Sequence, residues 1–98
     1  MKVLVTGAAG FIGGQLWHTL WQRGDEVVGI DNFSYGNLDN LKFDDHDFGP
    51  EVRRMDIRDR EALPKLFEEE KFDVVYNIAG IAPLPDCQSD PVQAVEVN

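Results

Sequence analysis

Lys2-Val3-Leu4-Val5-Thr6-Gly7-Ala8-Ala9-Gly10-Phe11-Ile12-Gly13-Gly14, near the start of the chain, is the stretch that decides the fold. Val3 to Thr6 is apolar on both faces, the pattern of a short strand buried inside a parallel sheet. Glycines at positions 7, 10 and 13 interrupt it. From Phe11 to Arg23, Ile12, Leu16, Leu20 and Trp21 recur at helical spacing with Gln15, His18, Thr19 and Gln22 between them. Gly24 is a natural helix stop. Strand, glycine turn and helix together present free backbone N–H groups and a helix N-terminus to a phosphate. The expectation is a dinucleotide cradle. Close helix–strand packing alone also accounts for such glycines; their place between a buried strand and an amphipathic helix favours the phosphate.

Outward from this stretch, Glu26 to Ile30 reads as a second strand closing at Asp31. Strand, helix and strand within about thirty residues make a βαβ unit with a right-handed crossover. Asn32 to Pro50 loses all periodicity and is expected to be loop, with one helical turn near Leu38 to Leu41. The run Asp44-Asp45-His46-Asp47 reads as a solvated acidic loop, because consecutive residues seldom converge on one ion. Val52 to Met55 is a third strand, followed by Asp56-Ile57. Asp59 can cap the next helix, whose apolar stripe is Ala62, Leu63, Leu66 and Phe67. Pro64 requires that helix to start late or to bend in its first turn. Asp73 to Ile78 is the fourth strand and runs into Ala79-Gly80. Ile81 to Pro91 carries three prolines and is irregular, and a helix is expected after Pro91. Trp17 and Trp21 are assigned to packing, and His18 to solvated helix surface.

The order β-α-β-loop-β-α-β-loop-(α) specifies an α/β chain. Its expected form is a partial Rossmann fold: an open parallel sheet of about four strands in the order 3-2-1-4, with helices on both faces. Residues 1–98 then form one unit. The topological switch point lies above the carboxyl ends of strands one and four. The glycine turn, Asp31, Asp56-Ile57 and Ala79-Gly80 all end there.

A net charge of −9 argues against nucleic acid and against an anionic membrane surface, both of which need a basic face. The single cysteine, Cys87, excludes an internal disulfide and any multi-cysteine metal site. It reads as a loop side chain in a reducing compartment. No apolar run approaches the ~18 residues of a membrane span, and Val3 to Val5 meets glycine too soon for a signal peptide. The expected location is cytoplasmic.

Asp31 stands twenty-one residues after Gly10, where a carboxylate can accept hydrogen bonds from the adenosine ribose hydroxyls. A charge there repels a 2′-phosphate, and no arginine or lysine follows until Lys42. NAD is therefore preferred over NADP. A loop aspartate that caps local amides is the other reading of Asp31. Asp56 is placed to accept from the adenine amino group while Ile57 packs on the ring.

Val5-Thr6-Gly7-Ala8-Ala9-Gly10-Phe11-Ile12-Gly13 resembles the signature of the extended short-chain dehydrogenase/reductase family, which includes the NAD-dependent nucleotide-sugar epimerases and dehydratases. Asp31-Asn32-Phe33-Ser34 with Gly36, then Asn40-Leu41, is similar to the adenosine-side loop of the UDP-sugar epimerase branch. Asp56-Ile57-Arg58-Asp59 and Asp73-Val74-Val75-Tyr76 continue the likeness in order. The resemblance implies Gly7, Gly10, Phe11 and Ile12 at the pyrophosphate of NAD. It implies Asp31, Asn32, Phe33, Ser34 and Gly36 at the adenosine ribose, and Asp56 with Ile57 at adenine. Ile78, Ala79, Gly80 and Ala82 fall near the nicotinamide ribose.

Two positions depart from the family pattern. Asn77 stands where many members carry histidine, and Ala82 where some UDP-galactose epimerases carry a lysine. The family's Tyr-x-x-x-Lys pair is also missing, since Tyr35 is followed four residues on by Asp39 and Tyr76 by Gly80. No catalytic residue is therefore assigned. The resemblance implies the NAD-binding portion of a longer nucleotide-sugar epimerase or dehydratase, inactive alone. A non-catalytic NAD sensor and a purely structural module are the alternatives. With the fourth strand at the sheet's border, a homo-oligomer through the open edge is expected.

Overall fold

The structure, a computed structural model, describes residues 1–78. Four parallel strands order as β3-β2-β1-β4: β1 Lys2–Thr6, β2 Glu26–Asp31, β3 Arg53–Arg54 and β4 Val74–Asn77. β1 lies at the centre, with Val5 opposite Gly29 on one side and Tyr76 on the other. The order is the one expected from the alternation of elements. β3 is shorter than the expected span of Val52 to Met55, and only Arg53 and Arg54 pair, with Ile30 and Asp31.

Helix α1, Phe11–Gln22, and a 3₁₀ turn, Leu38–Leu41, cover one face of the sheet. Helix α2, Ala62–Glu70, covers the other. Along β1 the side chains alternate: Val3 and Val5 meet Trp17 and Leu20 of α1, whereas Leu4 joins Ile30 and Leu66 of α2. Burying each such side chain contributes about 1.5–3 kcal/mol.

The stripe of α1 differs from expectation. Its buried residues are Gly13, Gly14, Trp17 and Leu20, while Ile12 is exposed and Leu16 half-buried. Ile12 belongs to the first turn, where the buried positions are Gly13 and Gly14 instead.

The connection from β2 to β3 supplies no second helix to this face. Its cover comes instead from two fully buried plugs, Leu41 and Phe48. Phe48 packs on Trp17 with ring centroids 4.9 Å apart. Between the plugs the chain makes a tight reversal, closed by a Lys42–Asp47 bridge and by Phe43 N donating to His46 O at 2.9 Å.

The acidic run is a loop with Asp44, Asp45 and Asp47 exposed, as expected, and ring and hydrogen-bond contacts tie it to α1. His18 stacks on Phe43 at 3.9 Å and bonds to Asp45, so it is not simply solvated surface. His46 stacks on Trp21 at 4.8 Å and bonds to Glu51. Among the described residues no group of histidines, cysteines and carboxylates is arranged to hold a metal.

Pro64 is the third residue of α2, where its missing N–H would have had no helical partner. The helix starts late, and Asp59 Oδ1 accepts from Glu61 N at 2.9 Å and Ala62 N at 2.8 Å as the expected cap. No described helix is long and apolar enough to cross a membrane.

Candidate cofactor site

The glycine turn leaves β1 at Gly7, whose φ of +66° is a conformation that side-chain-bearing residues resist. Gly10 N then donates to Gly7 O at 3.1 Å, and Gly10 becomes the N-cap of α1 with no side-chain cap. The first helical bond is Gly14 N to Gly10 O at 2.9 Å. The amides of Phe11, Ile12 and Gly13 therefore face out of the helix end without an intrahelical acceptor. Together with the helix dipole they form an anion seat. Phe11 is 73% exposed and Ile12 67%, so both side chains stand clear of the turn.

Gly13 allows this geometry. A Cβ there would lie 2.1 Å from Gly7 O. The helix end and the strand exit therefore touch through backbone alone. Gly10 is less constrained, with its nearest such contact at 3.3 Å.

Asp31 ends β2 beside this turn and is only 7% exposed. Its Oδ2 accepts from Ala9 N at 2.9 Å and its Oδ1 from Phe33 N at 2.6 Å. The carboxylate thus caps local amides, as one reading of the sequence had it. Each oxygen retains a further lone pair for another donor, so a ribose hydroxyl can share it.

The next residues form nested turns. Ser34 N donates to Asn32 Oδ1 at 3.0 Å, and Phe33 sits at φ +62° with the Arg54 guanidinium 5.0 Å from its ring centre. Gly36 comes so close that a Cβ would lie 2.8 Å from Asp31 Oδ2 and 2.9 Å from Ala9 Cβ. The structure therefore gathers Gly7, Gly10, Asp31, Asn32, Phe33, Ser34 and Gly36 around one backbone turn.

Asp56 and Ile57 follow β3 at the same end of the sheet. Arg58 grips the Asp56 carboxylate with Nη2 at 2.7 Å and Nε at 3.1 and 3.2 Å, and adds its backbone N at 2.8 Å. Asn32 Nδ2 lies 3.4 Å away and links Asp56 to the Asp31 loop. Arg58 pulls the Asp56 carboxyl down to about 2, against the opposing effect of burial. The side chain is an ionised acceptor at any physiological pH. Ile57 is half-buried against the α2 core.

At the far side, Thr6 Oγ1 donates to Asn77 Oδ1 at 2.7 Å, tying β1 to β4 at their carboxyl ends. This is the asparagine that departs from the family pattern. Ile78 stands partly exposed just past β4. Ala79, Gly80 and Ala82 lie outside the described residues.

Sequence reasoning assigned no role to Asn37 and named Asn40 only within the likeness to the adenosine-side loop. Asn37 N and Asn40 Nδ2 each donate to Ala9 O at 2.9 Å. Asn37 also caps the 3₁₀ turn, accepting from Asp39 N at 2.9 Å. An asparagine directly before Leu38 is a cap signal that could have placed it; the reach of Asn40 across 31 positions has no local signature.

The site fits a dinucleotide on its own geometry: open helix amides, glycines where a Cβ would collide with the turn's own backbone, and an acceptor beside the turn. Comparison with known proteins agrees. Residues 3–98 match the model of the NAD dependent epimerase/dehydratase family. The UDP-glucose 4-epimerase of Caenorhabditis elegans is 36% identical over 108 aligned positions covering all of this chain and 31% of that protein. The Mycolicibacterium smegmatis UDP-glucose 4-epimerase is 37% identical over 98 positions, again 100% of this chain and 31% of the relative.

Among solved structures, the Thermus thermophilus UDP-glucose 4-epimerase in complex with NAD superposes with a TM-score of 0.82 at 37% identity. That match covers 99% of this chain and 30% of the other. Pal from Bacillus thuringiensis gives 0.86 at 34%, covering 98% and 31%. The chain thus spans about a third of the length of these relatives. On its sheet order, its glycine turn and a match over nearly its whole length, the chain belongs to the NAD dependent epimerase/dehydratase family.

Proposed function

We propose that these 98 residues are the NAD-binding portion of a nucleotide-sugar epimerase or dehydratase acting on a UDP-sugar, and that alone they hold the cofactor without turning over a substrate. The observation that carries this reading is the Asp31 carboxylate bonded to Ala9 N at 2.9 Å, directly beside the open end of α1. One acceptor for ribose and one seat for pyrophosphate then share a single backbone turn.

NAD when bound supplies hydride-transfer chemistry. The described residues bind and orient. The amides of Phe11 and Ile12 hold the pyrophosphate with Gly7 and Gly10, while Asp31, Asn32, Phe33, Ser34 and Gly36 line the ribose. Asp56 and Ile57 receive adenine, and Ile78 stands on the nicotinamide side, to which the family resemblance also assigns Ala79, Gly80 and Ala82, outside the described residues. No described tyrosine has a lysine four residues on, which supports a binding role for this stretch.

Two companion readings belong to the proposal. The chain by itself self-associates through the β4 edge, where Val75 and Ile78 are exposed. Light scattering that showed a monomer at high concentration would overturn this. The location is cytoplasmic, in keeping with a single cysteine; cell fractionation tests it.

Isothermal titration of the folded chain is the central test. Heat is expected with NAD in the micromolar to millimolar range, and at least ten-fold weaker binding with NADP, whose 2′-phosphate meets Asp31. Folded protein that gives no heat with millimolar NAD would sink the reading. Tight binding in a cell that lacks any downstream catalytic sequence would favour the sensor alternative.

A further inference from the structure

Ala9 is held at both of its peptide groups. Its N–H donates to Asp31 Oδ2 at 2.9 Å, and its carbonyl accepts from both Asn37 N and Asn40 Nδ2, each at 2.9 Å. A carbonyl oxygen offers two lone pairs, so these two donors fill it. The next residue is Gly10, the N-cap that aims the amides of Phe11 and Ile12. Rotation of the Ala9–Gly10 peptide would turn that helix end, and the two donors prevent the rotation.

A second contact places Asn40 independently of its side chain. A Cβ on Gly14 would lie 2.5 Å from Asn40 O, so the 3₁₀ turn rests on the first turn of α1 where a glycine makes room. The fully buried Leu41 side chain, next in sequence, pins the turn to the sheet. Asn40 thus brings a fixed backbone to α1 and a side-chain amide to the turn that precedes it.

We propose that Asn40 is a positioning residue for the pyrophosphate seat, acting through the Ala9 carbonyl on the direction of the Phe11 and Ile12 amides. It does not touch the ligand. This rests on the dinucleotide reading given above, and goes beyond it by assigning the seat's orientation to a side chain 31 positions away.

The test compares ADP with adenosine, because only ADP carries the pyrophosphate. For the wild-type chain, the ratio of the two affinities measures what the seat contributes. In Asn40→Ala and in the isosteric Asn40→Asp, which lacks the N–H donor, that ratio is expected to fall about ten-fold, with adenosine affinity little changed. Leu66→Ala, in the core on the opposite face, lowers stability and leaves the ratio intact. Amide spectra of the ligand-free Asn40→Ala chain are expected to show shifted Gly10, Phe11 and Ile12 resonances.

An unchanged ratio in both variants overturns the proposal and leaves the dinucleotide reading standing. Equal loss for ADP and adenosine, or variants that do not fold, would assign Asn40 an architectural role instead and also overturn it. A wild-type chain that binds neither ADP nor NAD removes the reading beneath it.

Discussion

The indole of Trp17 occupies the space that Gly29 leaves empty: a Cβ on Gly29 would lie 2.1 Å from Cζ3 and 2.6 Å from Cη2 of the ring. Trp17 is the largest fully buried side chain and carries Phe48 on its ring. Gly29→Ala is therefore expected to destabilise the chain by about 1–3 kcal/mol, the usual cost of overpacking. Urea denaturation measures it. Trp17→Phe in the same chain should recover part of the loss, because the two positions share one volume.

The glycine turn makes a graded comparison possible. Gly13→Ala forces a methyl to 2.1 Å from Gly7 O, whereas Gly10→Ala brings one only to 3.3 Å. NAD affinity is expected to drop more than ten-fold in the first and several-fold at most in the second. Titration of both variants checks the order. Equal losses would mean that the turn moves as a loose loop.

Asp31 combines two duties. Asp31→Asn keeps the shape but turns one N–H donor towards Ala9 N or Phe33 N, leaving a buried donor without an acceptor. The expected cost is about 1–3 kcal/mol in stability. The NAD-over-NADP preference should shrink as well, since the charge opposing a 2′-phosphate is gone. Denaturation and titration of one protein read the two effects separately.

Acid should weaken the Asp56–Arg58 pair. Arg58 holds Asp56 at about 2, below the ordinary value of about 3.9 in an unfolded chain. Stabilisation from a depressed carboxyl is complete above the unfolded value and is lost as pH falls through the folded one. Arg58→Ala is expected to cost about 1 kcal/mol at neutral pH, given that the pair is partly exposed to solvent. The difference from wild type should close between about pH 4 and pH 2. Asp25, Asp45, Asp59 and Glu70 are lowered too, by Arg23, His18, the Ala62 amide and Lys2 respectively, so overall stability should decline over the same acidic range.

Much of this architecture is legible along the sequence because local signals carry it. The strand at Val3 to Thr6, the glycine spacing and the stop at Gly24 each act within a few residues, and the strand order follows from alternation. The 3₁₀ turn at Leu38 was visible for the same reason. Ile12 misled because apolar periodicity passes over glycines, and in the first turn of α1 it is Gly13 and Gly14 that are buried.

The contacts that lock the site were not legible. Asn40 to Ala9, Asp45 to His18 and Phe48 to Trp17 each join residues about thirty positions apart. Nothing in the composition of 32–50 announces that a loop fills the place of a helix. Gly29 looked like an ordinary strand residue; its meaning lies in the tryptophan opposite.

The reversal between Leu41 and Phe48 carries a consequence for how this chain can change length. Its two plugs are fully buried, but its tip, Asp44 and Asp45, faces water. Extra residues inserted at the tip would add mainly closure entropy, about 0.6 kcal/mol for each doubling of the loop. Removing one residue between the plugs would drag Leu41 or Phe48 out of register with Trp17 and open a cavity costing several times as much. Lineages and engineers alike can therefore lengthen this segment far more cheaply than they can trim it.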